Sequence, residues 1–381
     1  PMARIAVLHN TLDFQGGADV VCLSVCAALQ RDHDVTLYTL SETTPRALAE
    51  RFEIDLDADA LDVRVPRGGV TVARTLSAAA PAIGPQLAFR SVLLRAVFER
   101  DAAPFGLAVS TANELSLSIP SVQYVHYPQF GAHRSRDAAA SPLDRLWSCL
   151  AGPERAGLVD RERAACAGNV TLLANSAWTA DVVADRYGVT PTVLHPPVDP
   201  IDAGRDWHER EDGVVVVGRL APDKRALAAI RVVDDVRERG RDLHLHIVGS
   251  APRAYRQYAR RVAAAAAERS YVTVERDASR ERLESLLGTH KYGLNLKSEE
   301  HFGMSVAEYV AAGMVAFAPD SGGQREILDG RDDRLFGSEN GAVDLLVAAV
   351  DADDPPALPA DRFAASRFRG EIRRVVDRAL H

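Results

Sequence analysis

Residues 5–38 read IAVLHNTLDFQGGADVVCLSVCAALQRDHDVTLY, and this stretch decides the fold. Ile5 to Leu8 is a short, uniformly apolar run ending at His9-Asn10, the pattern of a strand covered on both faces in a parallel sheet. A polar loop with Gly16-Gly17 follows, then a helical stretch from Ala18 to Gln30, then a second strand at Val35-Thr36-Leu37-Tyr38. Strand, glycine loop, helix, strand is a βαβ unit.

Working outward, further strands are expected at Leu107-Ala108-Val109, Val122 to Val125 and Val170 to Ala174, which makes the first half a doubly wound α/β domain. The pattern breaks at Leu194-His195-Pro196-Pro197-Val198-Asp199-Pro200, where three prolines forbid regular hydrogen bonding and stiffen the chain. Strands at Val214 to Val217, Leu243 to Val248, Val272 to Val274 and Tyr292 to Leu296 then alternate with helices near Ala226 to Arg239, Tyr255 to Glu268 and Arg280 to Leu287. The expected organisation is a first α/β domain over 1–195, a second over 196–361, and a C-terminal helix within 362–381 that packs back on the first domain. Two such halves imply a cleft between them, because ligands bind outside the carboxyl ends of parallel strands.

The chain has 381 residues, 47% hydrophobic and 26% charged, with a formal net charge of −8. Two domains follow from the length at roughly 150 residues per domain. The acidic balance lacks the overall positive field that favours nucleic acid, so no nucleic-acid partner is expected, although net charge leaves a basic local patch open. Of 45 basic residues only Lys224, Lys291 and Lys297 are lysine, so each lysine invites inspection. Cys22, Cys26, Cys149 and Cys166 are too few and too scattered for a disulfide framework and read as reduced, buried thiols of a cytoplasmic protein. No run approaches the roughly 18 apolar residues of a spanning helix.

The segment richest in chemistry is Ser298-Glu299-Glu300-His301-Phe302-Gly303-Met304-Ser305-Val306-Ala307-Glu308-Tyr309-Val310-Ala311-Ala312-Gly313. It follows a strand and reads as a loop entering a short helix that stops at Gly313. The free N–H groups at that helix start, near Gly303 to Ser305, suit a phosphate. Glu300 lies before the helix and Glu308 about one turn inside it, so the two carboxylates could address different parts of one elongated ligand. Carboxylates beside a phosphate need hydroxyl donors to be tolerated, which points to sugars. The plainer reading is two solvated glutamates on an amphipathic helix.

Two glutamates separated by seven residues, with Phe302-Gly303 after the first and an alanine-glycine helix end after the second, resemble the signature of the retaining glycosyltransferases of family 4. Val217-Gly218-Arg219-Leu220 with Lys224 resembles that family's pyrophosphate-binding Gly-Arg-Leu and downstream lysine. Gly16-Gly17 resembles the glycine pair of its first domain, and Ser321-Gly322-Gly323 with Glu326 its loop after the next strand. A narrower likeness joins Tyr124-Val125-His126-Tyr127-Pro128, Asn175-Ser176-Ala177-Trp178-Thr179 and Glu300-His301-Phe302-Gly303 to the α-1,2-mannosyltransferases of lipid-linked oligosaccharide assembly.

The resemblance implies a GT-B fold, two Rossmann-like domains facing a central cleft, with acceptor bound by the first and nucleotide sugar by the second. It implies a metal-independent hexosyl transfer with retention, from GDP-mannose or else a UDP-hexose, to a hydroxyl of a glycan or polyprenyl-linked glycan. Arg219 and Lys224 would neutralise the diphosphate leaving group, and Gly16, Gly17, Phe302, Gly303, Met304 and Ser305 would line the nucleotide-sugar site. Glu308 would accept the ribose hydroxyls, Glu300 would hold the donor sugar, and His126 would touch the sugar near the reacting centre. His133, His195 and His301 receive no catalytic role, and no residue is assigned to metal or to a further cofactor.

The rivals are a GT-B phosphorylase or epimerase, a Rossmann oxidoreductase lacking its Gly-x-Gly-x-x-Gly loop, and an inactive sugar-binding relative. The stretch Leu87 to Arg100, apolar with Arg90, Arg95 and Arg100, reads either as a helix on an anionic membrane face near a lipid acceptor or as an ordinary core helix. Asp55-Leu56-Asp57-Ala58-Asp59 reads as a solvated acidic loop rather than a calcium loop, and Trp147 and Trp178 as core.

Overall fold

The structure, a computed structural model, describes residues 2–66, 86–130, 169–202, 204–251 and 255–381, with positions 69, 71, 74 and 75. Cys149, Cys166, Trp147 and His133 lie outside the described residues. The chain divides into two compact units, residues 1–197 with 365–381, and residues 198–364. The first division thus falls after Pro197 rather than His195, and the returning segment starts at Ala365 rather than Arg362.

In the first unit β1 (Arg4–His9), β2 (Asp34–Thr39), β3 (Asp62–Arg64), β4 (Leu107–Ser110), β5 (Ser121–Val125), β6 (Val170–Ala174) and β7 (Thr192–Val193) form one parallel sheet of order β3-β2-β1-β4-β5-β6-β7. Its described helices are α1 (Gly17–Leu29), α2 (Pro45–Arg51), α3 (Leu87–Asp101) and α4 (Ala177–Tyr187). Both faces are covered, which is why β1 is apolar without alternation: Ile5 and Val7 join the core with α1, while Ala6 and Leu8 join the core with Leu94 and Phe98 of α3.

That packing is what the core-helix reading of α3 expects. Leu94 and Phe98 are fully buried against the domain, and Arg90, the largest fully buried side chain among the described residues, is turned inward with them. Among the described residues no helix is long and apolar enough to cross a membrane. The acidic loop is as expected, with Asp55 and Asp59 in exposed pairs with Arg31 and Arg46. Trp178 is only partly buried, stacked 6.1 Å from the Tyr127 ring, so it is not a core residue.

In the second unit β8 (Glu211–Val217), β9 (His244–Gly249), β10 (Val272–Arg276), β11 (His290–Leu294), β12 (Val315–Pro319) and β13 (Leu335–Phe336) form a parallel sheet of order β10-β9-β8-β11-β12-β13. The helices are α5 (Ala226–Glu238), α6 (Arg256–Ala267), α7 (Arg280–Thr289), α8 (Met304–Ala311), α9 (Gln324–Ile327) and α10 (Glu339–Ala352). Counted from its own first strand, each sheet runs 3-2-1-4-5-6, the doubly wound order, with an extra edge strand in the first unit. The order reverses between β1 and β4 and between β8 and β11, and these two crevices are where each unit can bind a ligand.

β11 starts two residues earlier than the apolar pattern suggests, because its first residues are His290 and Lys291. Lys291 is tolerated there because its Nζ lies 2.8 Å from both Asp212 and Asp353. The final helix, α11 (Ala365–Leu380), sets Phe368, Ile372 and Val376 at four-residue spacing into the first unit's core, with Phe368 edge-on to Tyr124 at 6.2 Å.

Candidate functional site

The second unit's crevice is built from the loops after β8 and β11. β8 runs out into Gly218-Arg219-Leu220, where the backbone presses against the end of β9. A Cβ on Gly249 would stand 1.8 Å from the Gly218 carbonyl oxygen, so only glycine permits the approach. A short 3₁₀ turn, Pro222–Lys224, then leads through Arg225 in the left-handed region (φ 55°) into α5.

This turn brings Arg219, Asp223 and Lys224 next to Lys297 and Glu300 from the loop after β11. Lys224 Nζ donates to Glu300 Oε2 at 2.8 Å, with the two side chains 18% and 15% exposed. Lys297 Nζ lies 3.6 Å from Glu300 Oε1 and 3.7 Å from Asp223 Oδ2, and Arg219 Nη2 lies 3.8 Å from the same Asp223 oxygen. Three cations face two carboxylates, a surplus of one positive charge that suits an anion. Burial alone would raise the Glu300 pKa, but Lys224 and Lys297 outweigh it and hold the carboxyl below its ordinary range. Burial and the neighbouring Lys297 push His301 down to about 4, so it is neutral at pH 7 and adds no charge to the cluster.

The loop carrying Glu300 is locked to the loop after β12. Glu300's carbonyl accepts from Gly323 N–H at 2.8 Å, and Glu299 N–H donates to Ser321 Oγ at 3.0 Å. Gly322 has φ +71°, and a Cβ there would lie 2.4 Å from the Glu300 carbonyl oxygen. Beneath, the fully buried Gln324 donates to the carbonyls of Lys297 and Pro319, both at 3.1 Å, and accepts from Asn295 at 2.7 Å. These bonds account for the Ser321-Gly322-Gly323 motif: its role is to brace Glu300.

α8 begins at Gly303, which has φ +114° and leaves the first turn without a side-chain cap. Phe302 beneath it is buried edge-on to Phe363 at 5.3 Å. Met304 and Ser305 open the helix, so backbone N–H groups stand at the position that suits a phosphate. One turn on, Glu308 Oε1 accepts from Arg280 Nη1 at 2.5 Å, and Arg280 Nε donates to Glu284 at 2.6 Å. Tyr309 lies flat on Gly293, where a Cβ would come within 2.3 Å of the ring, and its hydroxyl accepts from Val217 N–H at 2.7 Å. The helix bearing Glu308 is thereby pinned to the strand end that launches Arg219.

In the first unit, Gly16 and Gly17 open α1 after the crevice strand β1. Asp19 accepts the Gly16 N–H at 2.9 Å with one oxygen and faces His9 Nε2 at 2.8 Å with the other, while His9 Nδ1 meets Thr111 Oγ1 at 3.0 Å. Burial works against a charged His9, yet the neighbouring Cys22 and Asp19 outweigh it and raise its pKa. His126 follows β5; its N–H donates to Asn113 Oδ1 at 2.6 Å and its carbonyl accepts from Asn175 at 3.2 Å, which fixes the ring's starting point beside Tyr124.

Two known sequence patterns between them cover most of the chain. Residues 15–201 match the sequence pattern described as Glycosyltransferase Family 4, and residues 199–352 match that described as Glycosyl transferases group 1. The chain belongs to glycosyltransferase family 4.

The family 4 chain is 26% identical over 227 residues to the GDP-Man:Man(3)GlcNAc(2)-PP-Dol alpha-1,2-mannosyltransferase of Eremothecium gossypii, a stretch covering 54% of this chain and 38% of that one. To the enzyme of the same name from Xenopus laevis it is 26% identical over 196 residues, 47% of this chain and 40% of that one. The match therefore spans about two fifths of the length of these relatives. Among solved structures, Anabaena HepE in complex with UDP superposes with a TM-score of 0.66 at 13% identity, over 99% of this chain and all of that one. WaaG, a glycosyltransferase involved in lipopolysaccharide biosynthesis, gives 0.61 at 14% identity, over 97% and 95% of the two chains. The fold is GT-B.

Within the second unit of this family 4 chain, Arg219, Lys224, Glu300, Phe302, Gly303, Met304, Ser305 and Glu308 stand on the loops and helix at the sheet's carboxyl edge. Gly16, Gly17 and His126 stand at the corresponding edge of the first unit's sheet. Arg280 and Asp223 are not announced by the sequence, whereas Lys297 stands out by its rarity and by lying three residues before Glu300, with no role implied by the family. Arg280 follows a Ser279 N-cap and lies 28 residues from Glu308, so no local pattern announces the pair.

Proposed function

We propose that this chain is a retaining glycosyltransferase that moves a hexose, first mannose from GDP-mannose, to a hydroxyl of a glycan, including one linked to a polyprenyl diphosphate. The observation that carries this reading is the Arg219, Lys224, Lys297, Glu300 cluster beside the uncapped start of α8. Its surplus positive charge and free N–H donors meet the charge that develops on a nucleoside diphosphate as the glycosidic bond breaks. Arg219 presents a planar fork to two phosphate oxygens, and Lys224 a point charge. Both act without a metal ion. Glu308, steadied by Arg280, accepts ribose hydroxyls through its second oxygen, and Glu300 accepts hydroxyls of the donor sugar.

No protein nucleophile is assigned: the acceptor oxygen attacks the anomeric carbon on the face the diphosphate leaves, and the departing phosphate oxygen takes the acceptor's proton. The parts given to Gly16, Gly17 and His126 rest on the family resemblance. The names of the mannosyltransferase relatives support mannose, and UDP-hexose is the second reading.

The test is release of nucleoside diphosphate from GDP-mannose, UDP-glucose and UDP-N-acetylglucosamine with glycan and polyprenyl-linked acceptors, in EDTA and in added Mg²⁺. NMR of the product gives the anomeric configuration. Turnover of GDP-mannose with an α-linked product is expected. Turnover of UDP-hexose alone selects the second reading; interconversion of donors without acceptor, or no turnover at all, overturns the transferase assignment.

A further inference from the structure

At the amino ends of the second unit's strands, opposite the loops that carry Lys224 and Glu300, three imidazoles converge. His244 and His246 project from one face of β9, two residues apart, and His290 opens β11. β9 and β11 are not neighbours, because β8 runs between them. The side chains meet across β8 because its residue opposite His244 is Gly213: a Cβ there would lie 2.4 Å from His244 Nε2 and 2.6 Å from His290 Cδ2. With that space open, His244 Nε2 and His290 Nε2 are 3.0 Å apart, and one ring nitrogen from each of the three histidines lies within 4.8 Å of the others.

The outer contacts orient the rings. His290 Nδ1 lies 2.8 Å from the Leu286 carbonyl, which can only accept, so Nδ1 carries the proton and Nε2 presents its lone pair inward. His246 Nδ1 lies 3.1 Å from Glu275 Oε1, and Glu275 is gripped by both Nε and Nη2 of Arg282 at 2.8 Å. A histidine held through Nδ1 by a carboxylate or a carbonyl, with Nε2 free, is the arrangement that supports imidazole ligands of metal ions. A fourth donor is at hand in Glu211, whose Oε2 is 3.5 Å from His244 Nε2 and 3.9 Å from His290 Nε2. For comparison, metal–nitrogen bonds of about 2.0–2.1 Å on a tetrahedron set ligand atoms roughly 3.3 Å apart.

We propose that His244, His246, His290 and Glu211 form a binding site for a divalent transition-metal ion of the zinc class. Its ligands come from the three adjacent strands β9, β8 and β11, so the ion clamps their amino ends together. β11 extends about 13 Å from His290 to Leu294 before the donor-site loop begins, so the ion is structural and takes no part in group transfer.

The test uses the full chain, free of any affinity tag and stripped with EDTA. Zn²⁺ is titrated against a chromophoric chelator, and Co²⁺ uptake is followed in the visible spectrum. One equivalent of Zn²⁺, an intense four-coordinate Co²⁺ spectrum and a rise in unfolding temperature with Zn²⁺ are the expected results. His246→Gln and His290→Gln should each weaken Zn²⁺ binding by about 100-fold or more, and Glu275→Gln by about 10–100-fold. Zn²⁺ binding unchanged in both histidine variants, or a weak six-coordinate Co²⁺ spectrum in the parent chain, would overturn the site. The Co²⁺ spectrum of the parent chain decides the matter even if the His290 variant does not fold.

Discussion

Replacing Lys224 by methionine keeps most of the unbranched side chain and removes its charge. Two things are lost. The first is the 2.8 Å bond to Glu300, which then keeps only Lys297 at 3.6 Å. The second is one of the three cations offered to the diphosphate. A unit charge about 4 Å from a phosphate oxygen is worth roughly 4 kcal/mol at an effective dielectric of 20, and desolvation takes back part of it. A net loss of about 3 kcal/mol in the transition state corresponds to about 10² in rate, the scale seen when one preorganised contact is removed. Nucleoside diphosphate release under saturating donor should therefore fall about 100-fold, with the loss in kcat larger than any change in donor KM. Because Lys224 and Glu300 touch, the Lys224→Met and Glu300→Gln effects should be non-additive by about 1–3 kcal/mol in a double-mutant cycle. Turnover within fivefold of the parent would remove the lysine from the leaving-group site, and strict additivity would show that its contact with Glu300 carries no coupling.

Glu308→Ala should chiefly raise donor KM, and Arg280→Leu should do the same more weakly by releasing the carboxylate; an effect confined to acceptor KM would contradict the ribose role. Gly249→Ala forces a backbone shift to relieve the 1.8 Å approach to Gly218. It should destabilise by about 1–3 kcal/mol and lower the melting temperature by roughly 2–10 °C, measured by calorimetry. His301, with a folded-state pKa of about 4 against 6.5 unfolded, takes up its proton first in the unfolded chain. Its contribution, at most about 3 kcal/mol, is fully present above pH 6.5 and is lost as pH falls through 4. Glu300, with its pKa lowered, acts in the same direction below pH 4.5. Urea midpoints measured from pH 7.5 to 4 should fall for the parent chain and fall less for His301→Gln; equal slopes would show that His301 is not held neutral.

Much of this protein is written locally. The apolar runs at Ile5–Leu8 and Val214–Val217, the glycine loop at Gly16-Gly17 and the stripe of Phe368, Ile372 and Val376 each declare an element, because a strand covered on both faces and a helix covered on one have distinct periodicities. The motif from Glu300 to Gly313 was equally legible, since a helix start and its cap are set by neighbours in the chain.

What depended on tertiary structure is pairing across the chain. Arg280 meets Glu308, Gln324 ties Lys297 to Pro319, and Gly213 makes room for His244 and His290, in each case because parallel strands separated by crossover helices bring distant loops to one sheet edge. β11 escaped the apolar reading for the same reason: Lys291 is acceptable in a central strand only because Asp212 and Asp353 arrive from elsewhere to neutralise it. By itself the sequence determined the two α/β halves and the motifs of the donor site. Only the folded chain decided which charges neutralise one another, because an ion pair depends on distance in space and leaves no periodicity in the sequence.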